Sequence, residues 1–315
     1  MSLLKDVEKQ LAQRKGQSLL SKQGQDPSQG QNGETIRFLT AESDWGVARN
    51  GGRRGARFAP KAIVHCLGKM VSHTPLLWEA HPVSNALLEP IDFNGAQKES
   101  TQMIASLLKL KESPTPLFHL GGGHDHIYPL LKALEKSGSK RVVVVNIDAH
   151  CDTRPDPLPH SGTPFRQFDE ETSLDFDLIQ LGIHSYTNTK ATLAPLKRGR
   201  MTVFGVEELP RKASSMRAFL NETVPIHPDA HYIVSLDCDG LSSSIMEAVS
   251  AVNHNGLEFE QVSAIFNWAR KRLAAEKLIY GIYEYNPIYD NLSQKGARAL
   301  AALIYESAFK PMDMD

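Results

Sequence analysis

The stretch VVVVNIDAHCD, residues 142–152, decides the predicted fold class. Its run of β-branched residues has no alternating polarity, which is typical of a strand buried on both faces of a parallel sheet. Ligands of open α/β sheets bind just beyond the carboxyl ends of the strands. If the chain stays extended there, Asp148, His150 and Asp152 point to one side, where burial requires a partner such as a divalent cation. The alternative is a solvated acidic loop after a core strand.

Composition argues against several classes of protein. The chain of 315 residues carries 35 Lys and Arg against 36 Asp and Glu, so its formal net charge is −1. Without a global basic field, we expect no nucleic-acid partner and no binding to a membrane surface. The three cysteines have no paired spacing, which fits a reducing compartment. We expect neither a signal peptide nor a membrane span, and therefore a cytoplasmic protein.

Strands alternate with helices along most of the chain, which predicts βαβ units, right-handed crossovers and one parallel α/β sheet. The predicted strands cover residues 36–39, 87–91, 116–120, 141–147, 178–183, 201–206, 231–236 and 277–282. The predicted helices cover residues 60–70, 99–111, 128–136, 211–221, 259–274 and 293–309. Residues 152–172 are expected to form a long, irregular, functional loop.

The chain is predicted to consist of an arm and a single domain. Residues 3–11 suit a short amphipathic helix, and residues 24–33 are rich in Gln, Gly and Ser with little to bury. We therefore predict a flexible N-terminal arm over residues 1–34 and one domain over residues 35–315.

Three other predicted strands also end in polar side chains. His124 follows a glycine turn in GGGHDH, residues 121–126. No Gly-Lys-Ser/Thr follows this turn, so a nucleotide-binding loop is disfavoured. Asp237 and Asp239 follow a second buried strand, and Glu284 follows a third. Because the carboxyl ends of parallel strands share one edge of a sheet, these residues are expected to form a single site.

The candidate metal ligands exceed what one ion needs. They comprise two imidazoles and four carboxylates, from His124, Asp148, His150, Asp152, Asp237 and Asp239. Two ions that share carboxylates would use the whole set, and a carboxylate-rich site suits Mn²⁺ better than Zn²⁺. Two metal ions about 3.5–4 Å apart lower the pKa of a shared water, so the composition favours hydrolysis.

The segments GGGHDH, NIDAHCD, SLDCD and YEYNP occur in that order, and together they resemble the ureohydrolase family of arginases, agmatinases and formimidoylglutamases. The resemblance covers residues from about 36 to 309. It implies a three-layer αβα sandwich around a parallel sheet and a single catalytic domain with two Mn²⁺ per subunit. It also implies a small-molecule amidine substrate and, as possible homo-oligomers, a trimer or a hexamer.

Carried over position by position, the resemblance assigns roles to single residues. One ion would be held by His124, Asp148, Asp152 and Asp237, and the other by Asp148, His150, Asp237 and Asp239. Asp148 and Asp237 would bridge the ions. Asp152 would also hydrogen-bond the bridging hydroxide and relay a proton, and Glu284 would pair with the cationic C–N head of the substrate.

Two loops are most similar to those of formimidoylglutamases. GVARNGGRRGARFAPKAI, residues 46–63, is similar to their Arg-Asn-x-Gly-Arg-x-Gly-Ala loop. SGTPF, residues 161–165, stands where arginases and agmatinases carry a His before the Gly. The implied reaction converts N-formimidoyl-L-glutamate to L-glutamate and formamide in histidine degradation, and two substrate carboxylates would give arginines a bidentate role. The predicted substrate-binding residues are Arg49, Asn50, Arg53, Arg54, Ser161 and Thr163.

Several alternatives remain open at this point. The Gly- and Arg-rich loop could equally be a solvated basic surface. In the third motif, Ser242 replaces the carboxylate and Ser243 the proline of the family pattern Asp-x-Asp-x-x-Asp-Pro, which is expected to affect the following loop but not metal binding. His160 either stands in for a missing general-acid His or is a surface histidine. Rival functions are a guanidino-acid amidinohydrolase that releases urea and a metal-binding family member without turnover.

Overall fold

The computed structural model describes residues 35–70, 77–84, 92–109 and 116–308. The predicted arm over residues 1–34, its helix at 3–11 and the predicted strand at 87–91 lie outside these residues. The strands are β1 Thr35–Ala41, β2 Leu77–Ser84, β3 Leu117–Gly121, β4 Arg141–Ile147, β5 Phe176–Ile183, β6 Gly199–Gly205, β7 Ala230–Asp237 and β8 Leu278–Tyr283. They form one sheet in the order β2-β1-β3-β8-β7-β4-β5-β6, and every pair of neighbours is parallel.

Helices cover both faces of this sheet. They are α1 Trp45–Arg49, α2 Ala59–Leu67, α3 Phe93–Leu108, α4 Ile127–Lys136, α5 Pro164–Glu171, α6 Ala213–Thr223, α7 Phe259–Arg272 and α8 Lys295–Ala308. Side chains from α2, α6, α7 and α8 pack in one apolar core, and side chains from α3, α4 and α5 pack in a second one. Two cores separated by one sheet make the three-layer αβα sandwich that the sequence predicts. Within the described ranges, none of the helices is long and apolar enough to cross a membrane.

Strand β4 contributes side chains to both cores, as its unbroken β-branched run predicts. Val143 and Val145 belong to the core formed with α7 and α8, whereas Val142 and Val144 belong to the core formed with α4 and α5. All four side chains are at most 1% exposed. Because burial of one such side chain contributes about 1.5–3 kcal/mol, this strand is fixed at the centre of the sheet.

Three expectations about local structure were wrong. Residues 164–171, expected to be irregular, form α5, in which Pro164 occupies the first turn, where no backbone N–H donor is needed. Part of the Gly- and Arg-rich loop is helical, since α1 covers Trp45–Arg49. Strand β4 ends at Ile147, so the ligands at 148, 150 and 152 do not continue an extended strand. They converge through a turn instead.

Strand β2 was not predicted, and its position explains why. It contains Pro82 and, among the described residues, pairs only with β1 at the edge of the sheet. An edge strand tolerates a proline because one row of its backbone groups is not needed for the ladder. The half-exposed residues of β2 therefore lack the continuous apolar signal that marks the central strands.

Candidate metal centre

Four central strands bring the predicted ligands to one place. β3, β8, β7 and β4 are consecutive neighbours in the sheet. His124 follows β3 in a short 3-10 turn, and Glu284 directly follows β8. Asp237 ends β7, and Asp148 directly follows β4. The four residues therefore meet at the carboxyl edge of adjacent strands, as the sequence predicts for a ligand site.

The first group of metal-type ligands surrounds the imidazole of His124. Its Nδ1 atom lies 2.8 Å from Asp152 Oδ2 and 3.2 Å from both Asp148 Oδ2 and Asp237 Oδ2. One ligand atom from each of the four residues lies within 4.8 Å of the others. Adjacent donor atoms that surround one ion at about 2.1 Å lie about 3 Å apart, so these spacings suit a single cation.

The second group shares a residue with the first. Ligand atoms of Asp148, His150 and Asp239 lie within 4.8 Å of one another. His150 Nδ1 is 3.2 Å from Asp239 Oδ2 and 3.5 Å from Asp148 Oδ1. The second group does not include Asp237, whose Oδ1 accepts a hydrogen bond from the Asp239 N–H at 2.9 Å. Asp148 thus joins both groups, whereas Asp237 belongs to the first.

Charge and burial in these groups fit a cation. Burial tends to lower the pKa of His124, but the carboxylates of Asp148, Asp152 and Asp237 raise it well above its usual value. Burial, together with the nearby Asp148 carboxylate, raises the pKa of Asp152 to about 6. His124 Nδ1 and Asp239 Oδ1 are buried without a well-aligned hydrogen-bond partner. Because a buried polar atom is costly without a partner, these donor atoms fit a bound divalent metal.

Glu284 lies beside the two groups. Its Oε1 accepts a hydrogen bond from the His124 N–H at 3.0 Å, and its own N–H donates to Gly122 O at 2.7 Å. Burial raises the pKa of Glu284 to about 8, and the carboxylates of Asp239 and Asp125 contribute. A cationic group placed against Glu284 would therefore hold it in its ionised form.

Backbone strain marks the two predicted catalytic residues. Asp152 has φ of 51° and Glu284 has φ of 64°, both in the left-handed region that disfavours side chains other than glycine. Such conformations cost free energy and are retained where the surrounding structure enforces them, often at functional sites. The turn at Asp152 also explains how residues beyond the end of β4 reach His124.

Ser235 and Tyr283 support His124 from outside the ligand set, and sequence analysis missed both. Ser235 Oγ lies 2.9 Å from His124 Nε2, and the Tyr283 ring stacks on the imidazole with centroids 4.9 Å apart. Ser235 lies inside β7, and Tyr283 ends β8 but carries no metal-type ligand, so the search for charged or imidazole side chains at strand ends selected neither. Partners of this kind fix the orientation of a metal-binding imidazole.

Replacing Ser235 with Ala is expected to lower Mn²⁺ affinity by about 10- to 100-fold, because the imidazole loses the partner of its second nitrogen. Affinity is measured by calorimetric titration of metal-free protein. Ser139→Ala is the matched control, since it removes a 2.8 Å contact between Ser139 Oγ and His231 Nδ1 at the opposite edge of the sheet. An equal loss of affinity in the two variants would contradict the assigned role.

The predicted substrate-binding residues separate into two sets. Arg49 donates to Pro159 O at 2.9 Å, and Asn50 Nδ2 donates to Ser161 Oγ at 3.0 Å. These contacts join α1 to the loop after β4. Thr163 Oγ1 donates to the backbone oxygen of residue 160 at 2.9 Å and stabilises the same loop.

Arg53 and Arg54 form the second set. Arg54 Nε and Nη2 both lie 3.3 Å from the buried Asp44 Oδ1, and its guanidinium stacks on Trp45. Arg53 donates to the Val249 backbone oxygen and stacks on the Tyr289 ring at 4.4 Å. Arg54 is thereby held in a structural ion pair, and Arg53 links two loops. Both guanidinium groups thus have partners in the protein, and the Arg54 side chain is also 41% exposed.

Sequence analysis also overlooked Arg154, which lies two residues beyond Asp152. Its Nη2 donates to Asn50 Oδ1 and lies 3.2 Å from His160 Nδ1. His160 is only 6% exposed, so the alternative of a surface histidine is wrong. No periodicity marks this loop, and an Arg at such a position can be selected only when its neighbours in space are known.

The altered third motif forms an ordered loop. Ser242 Oγ accepts a hydrogen bond from the Ser244 N–H at 3.3 Å, and the backbone oxygen of Ser242 accepts from the Met246 N–H at 2.9 Å. The Asn253 side chain donates to Asp239 O at 3.1 Å. A serine hydroxyl thus makes the local turn contact that a carboxylate could make, and the Asp239 backbone remains anchored.

Comparison with known proteins agrees with this geometry. The family model described as "Arginase family" matches residues 35–309. The chain belongs to the arginase family. A formimidoylglutamase from Cupriavidus pinatubonensis is 31% identical over 274 residues, which cover 83% of each chain. A formimidoylglutamase from Vibrio cholerae is 29% identical over 292 residues, which cover 87% of this chain and 83% of that protein.

A solved arginase-family structure shows the same fold. The Trypanosoma cruzi formiminoglutamase with Mn²⁺₂ superposes with a TM-score of 0.70 at 22% identity, over 89% of this chain and 94% of that chain. At 22% identity, this superposition is evidence for the fold alone. The predicted ureohydrolase resemblance, the predicted sandwich and the predicted hydrolase class are confirmed by these findings.

Proposed function

We propose that this arginase-family protein hydrolyses N-formimidoyl-L-glutamate to L-glutamate and formamide, with two Mn²⁺ per subunit, in histidine degradation. The observation that carries the proposal is the sharing of Asp148 between two adjacent groups of ligands beside Glu284. The relatives named formimidoylglutamase support the choice of substrate.

The donor set supports Mn²⁺ as the metal. The first ion would be held by His124, Asp148, Asp152 and Asp237, and the second by Asp148, His150 and Asp239. The family resemblance adds Asp237 to the second set as a bridging ligand. Four carboxylates and two imidazoles, without thiolate, favour this metal over Zn²⁺. The pair of ions would supply a water of lowered pKa and stabilise the negative charge that develops during hydrolysis.

The protein's own residues would orient the substrate and move a proton. The Glu284 carboxylate would pair with the amidinium of the formimino group, and the ion pair would keep Glu284 ionised. The buried Asp152 carboxylate belongs to the first group of ligands, where it would take up the proton that the attacking water releases. Asp152 would pass a proton to the amine of glutamate as the C–N bond breaks.

The substrate carboxylates require cationic or hydrogen-bonding partners on the rim of the site. Arg154 is joined to Asn50, which in turn is joined to Ser161, so these three residues form a connected polar edge. An arginine guanidinium pairs with a carboxylate through two parallel hydrogen bonds. We therefore add Arg154 to the proposed substrate-binding residues, beside Arg49, Asn50 and Ser161.

A homo-oligomer is also proposed, either a trimer or a hexamer. Exposed apolar side chains lie on loops that follow the strands, and the assembly would cover part of this surface. These residues are Leu158, Tyr186, Leu193, Val252, Tyr289 and Leu292. The mass of the Mn²⁺-loaded protein in solution, measured by light scattering, tests this proposal, and a monomer would contradict it.

Turnover by Mn²⁺-reconstituted protein tests the proposed reaction. N-formimidoyl-L-glutamate is compared with arginine, agmatine and guanidinobutyrate, and formamide, glutamate and urea are quantified. Glutamate with formamide is the expected result. Urea from a guanidino substrate would assign the site to an amidinohydrolase, and absence of all products from a protein that holds Mn²⁺ would indicate a family member without turnover.

A further inference from the structure

Hydrogen bonds on the loop after β4 hold the guanidinium of Arg154. His160 Nε2 lies 2.9 Å from Asp156 Oδ2, and Arg154 Nε lies 3.4 Å from the same oxygen. Arg154 Nη2 lies 3.2 Å from His160 Nδ1 and also donates to Asn50. The Gly162 N–H donates to His160 Nδ1 at 3.1 Å. His160 is thus the centre of a network that fixes one edge of Arg154.

This network defines the protonation state of His160. Its Nδ1 accepts the Gly162 N–H at 3.1 Å and therefore carries no proton, and Arg154 Nη2 lies above the same side of the ring, 3.2 Å from Nδ1 and 3.4 Å from Nε2. The proton is therefore on Nε2 and is donated to Asp156. A second proton, on Nδ1, would point an N–H group at the N–H groups of Gly162 and Arg154. It would also place a positive charge beside the Arg154 guanidinium, so protonation of His160 would break the network.

We propose that His160 is a positioning residue that holds Arg154 in the orientation needed to bind a carboxylate of the substrate, and that protonation of His160 releases Arg154. This inference rests on the proposed function, since it assigns the group that recognises the carboxylate in the same site. All side-chain hydrogen bonds from Arg154 to described residues use Nη2, which leaves Nη1 for a ligand. The side chain is 40% exposed and thus accessible to the ligand.

The charged groups around His160 come from three elements. Arg154 and Asp156 belong to its own loop, and Asp125 belongs to the turn before α4. Arg49 of α1 contacts the neighbouring Pro159 backbone. Burial lowers the pKa of His160, and Arg154 lowers it further, against the opposing effect of Asp156 and Asp125. His160 is therefore neutral near neutral pH and gains its proton on the acid side of an ordinary histidine.

Two substitutions of His160 distinguish a role in positioning Arg154 from a role in folding alone. His160→Ala removes the acceptor for Arg154 and Gly162. In His160→Asn, the side-chain oxygen can take the place of Nδ1 as an acceptor but cannot be protonated. His254→Ala is the control, because His254 is an exposed histidine in another loop. Each Mn²⁺-loaded protein is titrated with L-glutamate by calorimetry at about pH 7.5 and at about pH 5, and the second value lies below the usual range of histidine titration.

His160→Ala is expected to raise the Kd for L-glutamate and the KM for N-formimidoyl-L-glutamate about tenfold at about pH 7.5, with kcat within about twofold, because a charge-assisted contact is lost from binding. His160→Asn is expected to bind as wild type does at the higher pH and to lose less affinity than wild type at the lower one. His254→Ala should match wild type at both values.

An unchanged Kd in His160→Ala would overturn the proposal. So would a His160→Asn variant whose affinity falls with acidification as steeply as that of wild type. If wild type does not hydrolyse the substrate but binds L-glutamate with the expected variant effects, the proposed function fails and the positioning role holds. If wild type binds no L-glutamate, the positioning role fails.

Discussion

Replacing Asp148 with Ala is expected to abolish hydrolysis and to remove the stabilisation that Mn²⁺ gives to the fold. Asp148 is the one residue shared by the two groups of ligands, and its side chain is fully buried between His124 and His150. Loss of its oxygens would therefore weaken both metal positions. We expect kcat/KM to fall by at least about a thousandfold, since metal ions contribute several kcal/mol to hydrolytic transition states.

Metal content and thermal unfolding distinguish this effect from misfolding. In wild type, excess Mn²⁺ should raise Tm, because a ligand that binds only the folded protein stabilises it. In Asp148→Ala, the rise in Tm should vanish while the metal-free protein still unfolds cooperatively. Asp175→Ala is the control, because Asp175 is an exposed carboxylate outside both groups. Retained activity together with two bound Mn²⁺ in Asp148→Ala would refute the shared-ligand arrangement.

Glu284→Gln is expected to keep the metal and lose most of the activity. Glutamine has the same shape, and its side-chain oxygen can still accept the His124 N–H that Glu284 Oε1 accepts at 3.0 Å. The substitution removes only the negative charge that would pair with the amidinium. Loss of one partner of a buried charge pair costs about 2–5 kcal/mol, so kcat/KM should fall by about 30- to 5,000-fold.

The assay for Glu284→Gln combines turnover with Mn²⁺ content. Equal metal content in the variant and wild type would assign the loss to substrate pairing, whereas reduced metal content would point to a role in the metal centre. Glu170→Gln is the matched control, since Glu170 is an exposed glutamate at the end of α5. Activity within about threefold of wild type in Glu284→Gln would exclude the proposed pairing, because the charge of Glu284 would then stabilise the transition state by less than about 1 kcal/mol.

Local sequence patterns determined the elements that build the site. The β-branched run before Asp148 and the largely apolar segment before Asp237 predicted buried central strands, because a strand covered on both faces has no solvent side to alternate with. The polar residues directly beyond these strands, and after the glycine turn at His124, then became candidate ligands. The structure places all of them at one edge of the sheet.

Strand order and the conformation of the loops were decided by tertiary packing. No local pattern in the sequence predicts that β8 and β7 lie between β3 and β4, and in this order the turns after β3 and β4 bring His124 to Asp148 and Asp152. The turn that brings Asp152 to His124 requires a left-handed backbone, which is uncommon even for aspartate and costs free energy that the surrounding structure offsets.

The contacts of the residues at the rim of the site also could not be predicted from local sequence. Arg54 was selected as a substrate contact because of its type and its loop, but it pairs with Asp44, ten residues earlier in the chain. Arg154 was overlooked, although the structure connects it to Asn50 and His160. Sequence by itself determined the central strands and the chemical types at their ends, because periodicity and the pattern of apolar residues are local properties. Only the tertiary structure decided which side chains are engaged with the protein and which remain available to a ligand, because those contacts join residues that are distant in sequence.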